Sequence, residues 1–214
     1  MQRDDILIVG SPAPPLRQAF HAVSHMHRQF DRHPAAAKGS SRTSCILCSD
    51  IAAEAFAAMG FSARPVPTAL LRITAAPDGR PIIHKAGSVD GRDAPELGHG
   101  WNGHMVVLVD HYLFDPTFWQ IDQTASLPAM IALPARRLRV LNDRFDALAR
   151  LRDVVGGVPS DIAWVDTPEN TAHERYRGSN RAVRKRLEII RRDIVRSLVS
   201  PAGSAKYSLA SRGF

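Results

Sequence analysis

The two cysteines of this chain, Cys45 and Cys48, stand three residues apart in "SSRTSCILCSDIAAEAFAAMG", residues 40–60, where a polar Ser/Arg/Thr run gives way to an apolar, helix-like one. A thiol pair at this spacing serves as a metal clip, a redox dithiol, core packing, or one nucleophile beside one buried neighbour. A structural zinc site wants four ligands, typically as two spaced pairs. This chain has one Cys-x-x-Cys and no second, with His21-x3-His25 as the remaining one-turn pair, so no metal is expected. A thioredoxin-like dithiol needs a strand leading directly into the motif; the lead-in here is a polar loop. Cys48 shares a helical face with Ala52, Ala55 and Met59, which marks it as core. Cys45 falls in the first turn. Unpaired backbone N–H groups and the helix dipole favour negative charge there, which lowers a thiol pKa and offers donors to an oxyanion. Cys45 is therefore a candidate nucleophile if a base reaches it.

His104 and Asp115 supply the base and its partner. "HMVVLVDHYLFDPTFWQ" is the best strand signal in the chain and reads as a hairpin turning at Asp110-His111, although Asn-Gly or Asp-Gly would be the usual turn. A two-residue turn pairs Val109 with Tyr112, and hence Val106 with Asp115. His104 and Asp115 are then diagonal neighbours on one face, about 7–8 Å apart at the backbone and closer at the tips. Met105, Val107 and Val109 take the opposite, apolar face. Asp115 is placed to hold the His104 tautomer and to stabilise its imidazolium. His99 and His111 are rival bases, one in a Gly-rich loop and one in the turn.

The elements that must position these residues are read from periodicity. A short strand or irregular lead-in spans 4–10, and Pro12, Pro14 and Pro15 then break the chain. Leu16, Phe20, Val23 and Phe30 predict one helix to about residue 30. A second runs from Cys45 to about Met59, with Thr43 and Ser44 as caps and Gly60 as its stop. "FSARPVPTALLRI" is strand-like, restricted by Pro65 and Pro67 to an edge or irregular strand. "TAAPDGRP" is a turn and "AGSVDGRDAPELGHG" a long polar loop of the kind that borders sites. From about Leu133 the chain reads as helical and basic. "RFDALARLRDVV" is a short helix ended by Gly156-Gly157. A longer helix follows over "NRAVRKRLEIIRRDIVRSLV", with Val183, Leu187, Ile190, Ile194 and Leu198 as its apolar stripe. The division expected is a core over 1–135, a basic helical extension over 136–200 and a flexible tail over 201–214.

The 214 residues, 44% apolar and 23% charged, suffice to bury a core without disulfide staples. The start lacks a signal-like apolar segment, and apolar runs such as "MVVLV" are far too short to span a bilayer. A reducing cytoplasm is the expected location. The net charge of +7 is uneven: residues 1–135 carry 11 Lys/Arg against 12 Asp/Glu, and residues 136–214 carry 17 against 9. A basic C-terminal third implies either a solvated face or a partner, acidic protein or nucleic acid, at Arg181, Arg184, Lys185, Arg186, Arg191, Arg192 and Arg196.

These residues together resemble the transglutaminase-like branch of the papain-like cysteine enzymes, which includes arylamine N-acetyltransferases and bacterial peptidase or amidase relatives. Cys45 opens a helix, Gly60 follows fifteen residues on, and "FSARPV" follows that. "GHMVVLV…YLFDPT" matches the His that opens a strand and the Asp-Pro-Thr that ends the next. The likeness covers about residues 40–120. It implies an α+β fold with a Cys-bearing helix packed on an antiparallel sheet, and a cysteine acyl-transfer enzyme with Cys45, His104 and Asp115 as its triad. It also implies an amide, peptide or small acyl substrate and no cofactor. Trp101 and Asn102, just before His104, are candidates for lining the cleft. The competing expectation is a non-catalytic binding module whose C-terminal basic helix contacts nucleic acid or another acidic partner.

Overall fold

A helix that must present a residue at its first turn needs a firm stop at its other end, and Cys45–Ala58 has one. The Gly60 N–H donates to Ala57 O and the Phe61 N–H to Phe56 O, both at 3.0–3.1 Å, with Gly60 at φ +92. This is the Schellman pattern that satisfies the last carbonyls, and it requires the left-handed conformation glycine adopts without strain. At the other end Ser44 holds the N-cap position but makes no side-chain capping bond, contrary to the expected role of Thr43 and Ser44; Thr43 lies outside the described residues.

The computed structural model describes residues 6–36, 44–89, 103–121, 127–140, 144–155, 157–171, 173 and 181–200, with side chains of the last stretch from 184. Within them the chain runs β1 (Ile6–Ile8), α1 (Pro14–Ser24), α2 (Met26–Arg32), α3 (Cys45–Ala58), β2 (Ala63–Ala75), β3 (Pro81–Ala86), β4 (His104–Val109), β5 (Tyr112–Asp115), a 3-10 turn (Phe118–Ile121), β6 (Met130–Pro134), β7 (Leu138–Val140), β8 (Phe145–Val155), β9 (Val158–Asp166) and α4 (Arg181–Val199). The architecture is α+β. One sheet has the order β1-β6-β5-β4-β2-β9-β8-β7, with β3 also on β2, and every pairing is antiparallel except β1 with β6. Among the described residues no helix is long and apolar enough to cross a membrane.

Strand alternation divides the core. Val107, Val109, Phe114 and Ala132 point to the face covered by the helices, where Phe20, Phe30, Ile51 and Phe56 pack with Ile190, Ile194 and Leu198 of α4. Val106, Leu113, Ile131 and Leu133 point to the other face with Leu148, Leu151, Ile162 and Trp164. β6 and β8 are five steps apart in the sheet, so their shared cluster requires the sheet to curl around this second face.

Several expectations need correction. Residues 16–30 form two helices, not one, divided at His25, whose N–H reaches back to Ala22 O at 3.3 Å. Pro14 and Pro15 start α1 instead of breaking the chain, since the first helical positions need no N–H donor. The largest correction is in the C-terminal third, which is not helical throughout: the longer helix expected there is α4, but 145–155 is β8, and β9 joins it to β2. β8 and β9 form a hairpin that pairs Val155 with Val158, with Gly157 at φ +79. A bulge between Ala147 and Ala149 explains the misreading. Ala147, Leu148, Ala149 and Leu151 are all buried, so the two-residue alternation is lost and the apolar spacing imitates a helix. The expected tail over 201–214 lies outside the described residues.

β2 is an interior strand, paired with β4 on one side and β9 on the other, not the edge strand that Pro65 and Pro67 led the sequence reading to expect. The Pro67 carbonyl points to the β9 side, where it accepts from the Thr167 N–H at 3.4 Å. β9 pairs with β2 only from Thr68 onward. The missing proline N–H groups therefore face a stretch where β2 has no partner on that side among the described residues.

Gly60→Ala leaves space for the new methyl group, since nothing lies within 4 Å, but forces alanine into the left-handed region. The expected cost is about 1–2 kcal/mol, read as a lower denaturation midpoint at unchanged m-value.

Candidate active site

β4 and β5 pair as the two-residue turn requires: Val109 with Tyr112, Leu108 with Leu113, Val107 with Phe114. The turn succeeds without glycine because Asp110, at φ +48, is tied down. Its carboxylate accepts from the Ser62 N–H at 3.0 Å and its own N–H donates to Ser62 O at 2.8 Å. The register brings His104 and Asp115 together. His104 Nε2–H donates to Asp115 Oδ2 at 2.8 Å, with both side chains buried. His104 Nδ1 is buried and has no hydrogen-bond partner among the described residues.

Asp115 is met from two further directions. The Thr117 N–H donates to Oδ1 at 3.0 Å, and the Trp164 indole N–H donates to Oδ2 at 2.8 Å. The next residue is also held: His27 of α2 donates from Nε2 to the Pro116 carbonyl at 2.7 Å. On the far side of β4, Thr68 of β2 donates to His104 O at 3.3 Å.

Pro116 brings the thiol to this pair. The ladder alternation puts the N–H and C=O of Met105 on the β5 side, opposite Pro116. Proline has no N–H to offer, and its carbonyl is engaged by His27, so the strand pair ends there. The first turns of α3 take the vacated groups. Ser49 Oγ donates to Met105 O at 2.9 Å, and Cys45 Sγ, one turn earlier, accepts from the Met105 N–H. Residues i and i+4 of one helix thus replace one strand partner, and Cys45 lies beside the residue that follows His104. Backbone N–H groups of Ile46 and of Cys45 itself also reach the sulfur.

The thiol is not acidified as a bare helix start would have it. Burial pushes Cys45 up to about 11; the backbone hydrogen bonds from Met105 and Ile46 oppose this, and the nearby Asp115 charge adds to it. Desolvation outweighs the N–H groups because the thiolate loses water on most sides. Cys45 still keeps partial exposure, whereas Cys48 is fully buried and its thiol is raised further by the same cause. Burial thus favours the neutral thiol at both cysteines, and Cys48 is packing.

The approach to His104 is built from glycine. Gly87, at φ +93, would place a Cβ 3.0 Å from Gly103 Cα and 3.1 Å from His104 N. Any side chain at Gly87 would press on the strand that carries the base.

Of the residues singled out from sequence, Cys45, His104 and Asp115 converge; Trp101, Asn102 and His99 lie outside the described residues. His111 is in the turn, edge-on to Tyr112 with ring centroids 4.9 Å apart, at the opposite end of β4 from His104. Sequence reasoning missed Trp164, His27 and Ser49. The hairpin signal at Gly156-Gly157, with alternation over "SDIAWVD", was the available pointer to Trp164. Among the described residues no three His, Cys, Asp or Glu side chains are grouped to hold a metal ion. No protein-family model, curated protein or solved structure matches the chain.

With its thiol raised to about 11, Cys45 is mostly protonated below that pH unless a base takes the proton. In His104→Ala the iodoacetamide labelling rate of Cys45 should therefore climb about tenfold per pH unit from 7 to 10 with no plateau. Mass spectrometry of the labelled peptide reads it. A plateau near neutral pH in that variant would mean that the thiol is acidified by something other than His104.

Proposed function

We propose that the chain is a cysteine-dependent acyl-transfer enzyme with a papain-like, transglutaminase-like core: an amide or peptide hydrolase, or a transferase of the same chemistry. The observation that carries this is the buried His104–Asp115 pair at 2.8 Å, with Nδ1 left over for a proton, beside a helix-start thiol bound to the next residue on the strand.

In the proposed cycle His104 Nδ1 takes the Cys45 proton as Sγ attacks the carbonyl carbon of an amide, ester or thioester. Sγ and Nδ1 share no hydrogen bond in this state, and such contacts commonly tighten only with substrate bound. Negative charge moves to the carbonyl oxygen, which takes a hydrogen bond from the Cys45 backbone N–H at the helix start. The imidazolium then protonates the leaving group as the C–N, C–O or C–S bond breaks. Water or an amine, deprotonated by His104, resolves the acyl-enzyme and restores the thiol. Asp115 remains a carboxylate throughout and holds the imidazolium in place.

The triad variants separate this from packing. Cys45→Ala should abolish turnover of an activated ester or amide, and His104→Ala and Asp115→Asn should lower kcat by roughly 10²–10⁴-fold. Cys48→Ala should keep kcat and lose only about 1 kcal/mol of stability. Wild-type turnover by Cys45→Ala would end the proposal.

A second reading draws on α4. Its apolar stripe is spent on the core, Arg186 donates to Ala35 O and Arg191 pairs with Glu54, yet Arg184, Lys185 and Arg196 stay exposed. Nucleic acid bound there would be lost steeply as salt rises. An electrophoretic mobility shift present at 50 mM salt and gone at 300 mM is the expected pattern; no shift at low salt disposes of it.

A further inference from the structure

We propose that Trp164 is the positioning residue of the triad: its indole N–H fixes the face of Asp115 Oδ2 that receives His104 Nε2–H, and thereby keeps the Nδ1 lone pair for the Cys45 proton. This rests on the catalytic reading of Cys45, His104 and Asp115.

Asp115 has no exposed surface, so its two oxygens depend on protein donors. Oδ1 has the Thr117 N–H, a bond within one turn that tolerates rotation of the carboxylate. Oδ2 has His104 and Trp164. Only Trp164 comes from outside the β4–β5 hairpin and its continuation. It sits on β9, three strand steps from β5, a span of about 14 Å in a flat sheet. The curl of the sheet closes that span, and the ring is held by Phe118 at 5.8 Å and by pairing of Trp164 with Leu70 and Ala149. The donor is therefore immobile.

Indole N–H is a donor and cannot accept. It fills one acceptor site of the Asp115 carboxylate at Oδ2 and holds the group so that a remaining acceptor site of that oxygen faces His104 Nε2. His104 must then carry its proton on Nε2 when neutral, which is the tautomer a base acting through Nδ1 requires. Phenylalanine at 164 would keep most of the ring and remove only this constraint.

The test uses the full chain with ¹⁵N-labelled histidine and follows the His104 tautomer by NMR, alongside Cys45 labelling by iodoacetamide at pH 7. Wild type should show His104 protonated at Nε2. Trp164→Phe should mix the two tautomers and slow Cys45 labelling about tenfold, the weight of one hydrogen bond to a buried charge. Phe118→Leu, which loosens the same core but keeps the indole N–H, should lower Tm and leave the tautomer unchanged. A wild-type His104 protonated at Nδ1, or a Trp164→Phe variant with an unmixed Nε2–H tautomer and wild-type labelling, would overturn the proposal. The first arm needs no variant to fold. The tautomer is read without turnover, so an active Cys45→Ala would sink the catalytic reading alone, and an unmixed tautomer the Trp164 assignment alone.

Discussion

A carboxylate without exposed surface must be met by donors, and Asp115 has three of them. Leaving such a charge unpaired costs several kcal/mol, so His104 at the start of β4, the Thr117 N–H and Trp164 on β9 are held in a common arrangement. His27 on α2 fixes the adjoining carbonyl. The curl of the sheet brings Trp164 to this buried group, and Pro116 beside it seats α2 through His27. The same bonds that make the burial tolerable also aim the imidazole.

Pro116 links that demand to the thiol. By ending the β4–β5 ladder one residue after Asp115, it leaves the Met105 N–H and C=O without a strand partner, and α3 supplies Cys45 and Ser49 in its place. The start of α3 therefore meets β4 beside the end of β5. The position carries a cost in thiol acidity, because the packing that brings Cys45 to the strand also removes its water. A nucleophile in this setting depends on its base more than on the helix dipole.

The helices on the other face act as the support. α4 lays Ile190, Ile194, Val195 and Leu198 into the cluster that contains Ile51, Ala52, Ala55 and Phe56 of α3, and Arg191 reaches Glu54 across the same contact at 3.0 Å. Its amphipathic pattern, visible as a basic stripe opposite an apolar one, is that of a core helix with a charged outer side. The exposed arginines follow from solvation of that side whether or not a partner uses them.

Residue type and short-range spacing alone determined the helix from Cys45 with its Gly60 stop, the first-turn place of Cys45 and the buried place of Cys48, and the β4–β5 hairpin that makes His104 and Asp115 neighbours. These are local: a 3.6-residue period, a 2-residue period and a turn of known length reach only a few residues. Tertiary structure decided the rest. The β8–β9 hairpin was hidden because a bulge at Ala147/Ala149 broke the alternation and only pairing with β2 reveals it. Trp164 could not be placed because 49 residues separate it from Asp115 and the contact exists only in a curled sheet. The raised Cys45 thiol likewise depends on what surrounds the helix start, and burial is a property of the assembled chain that no single segment carries.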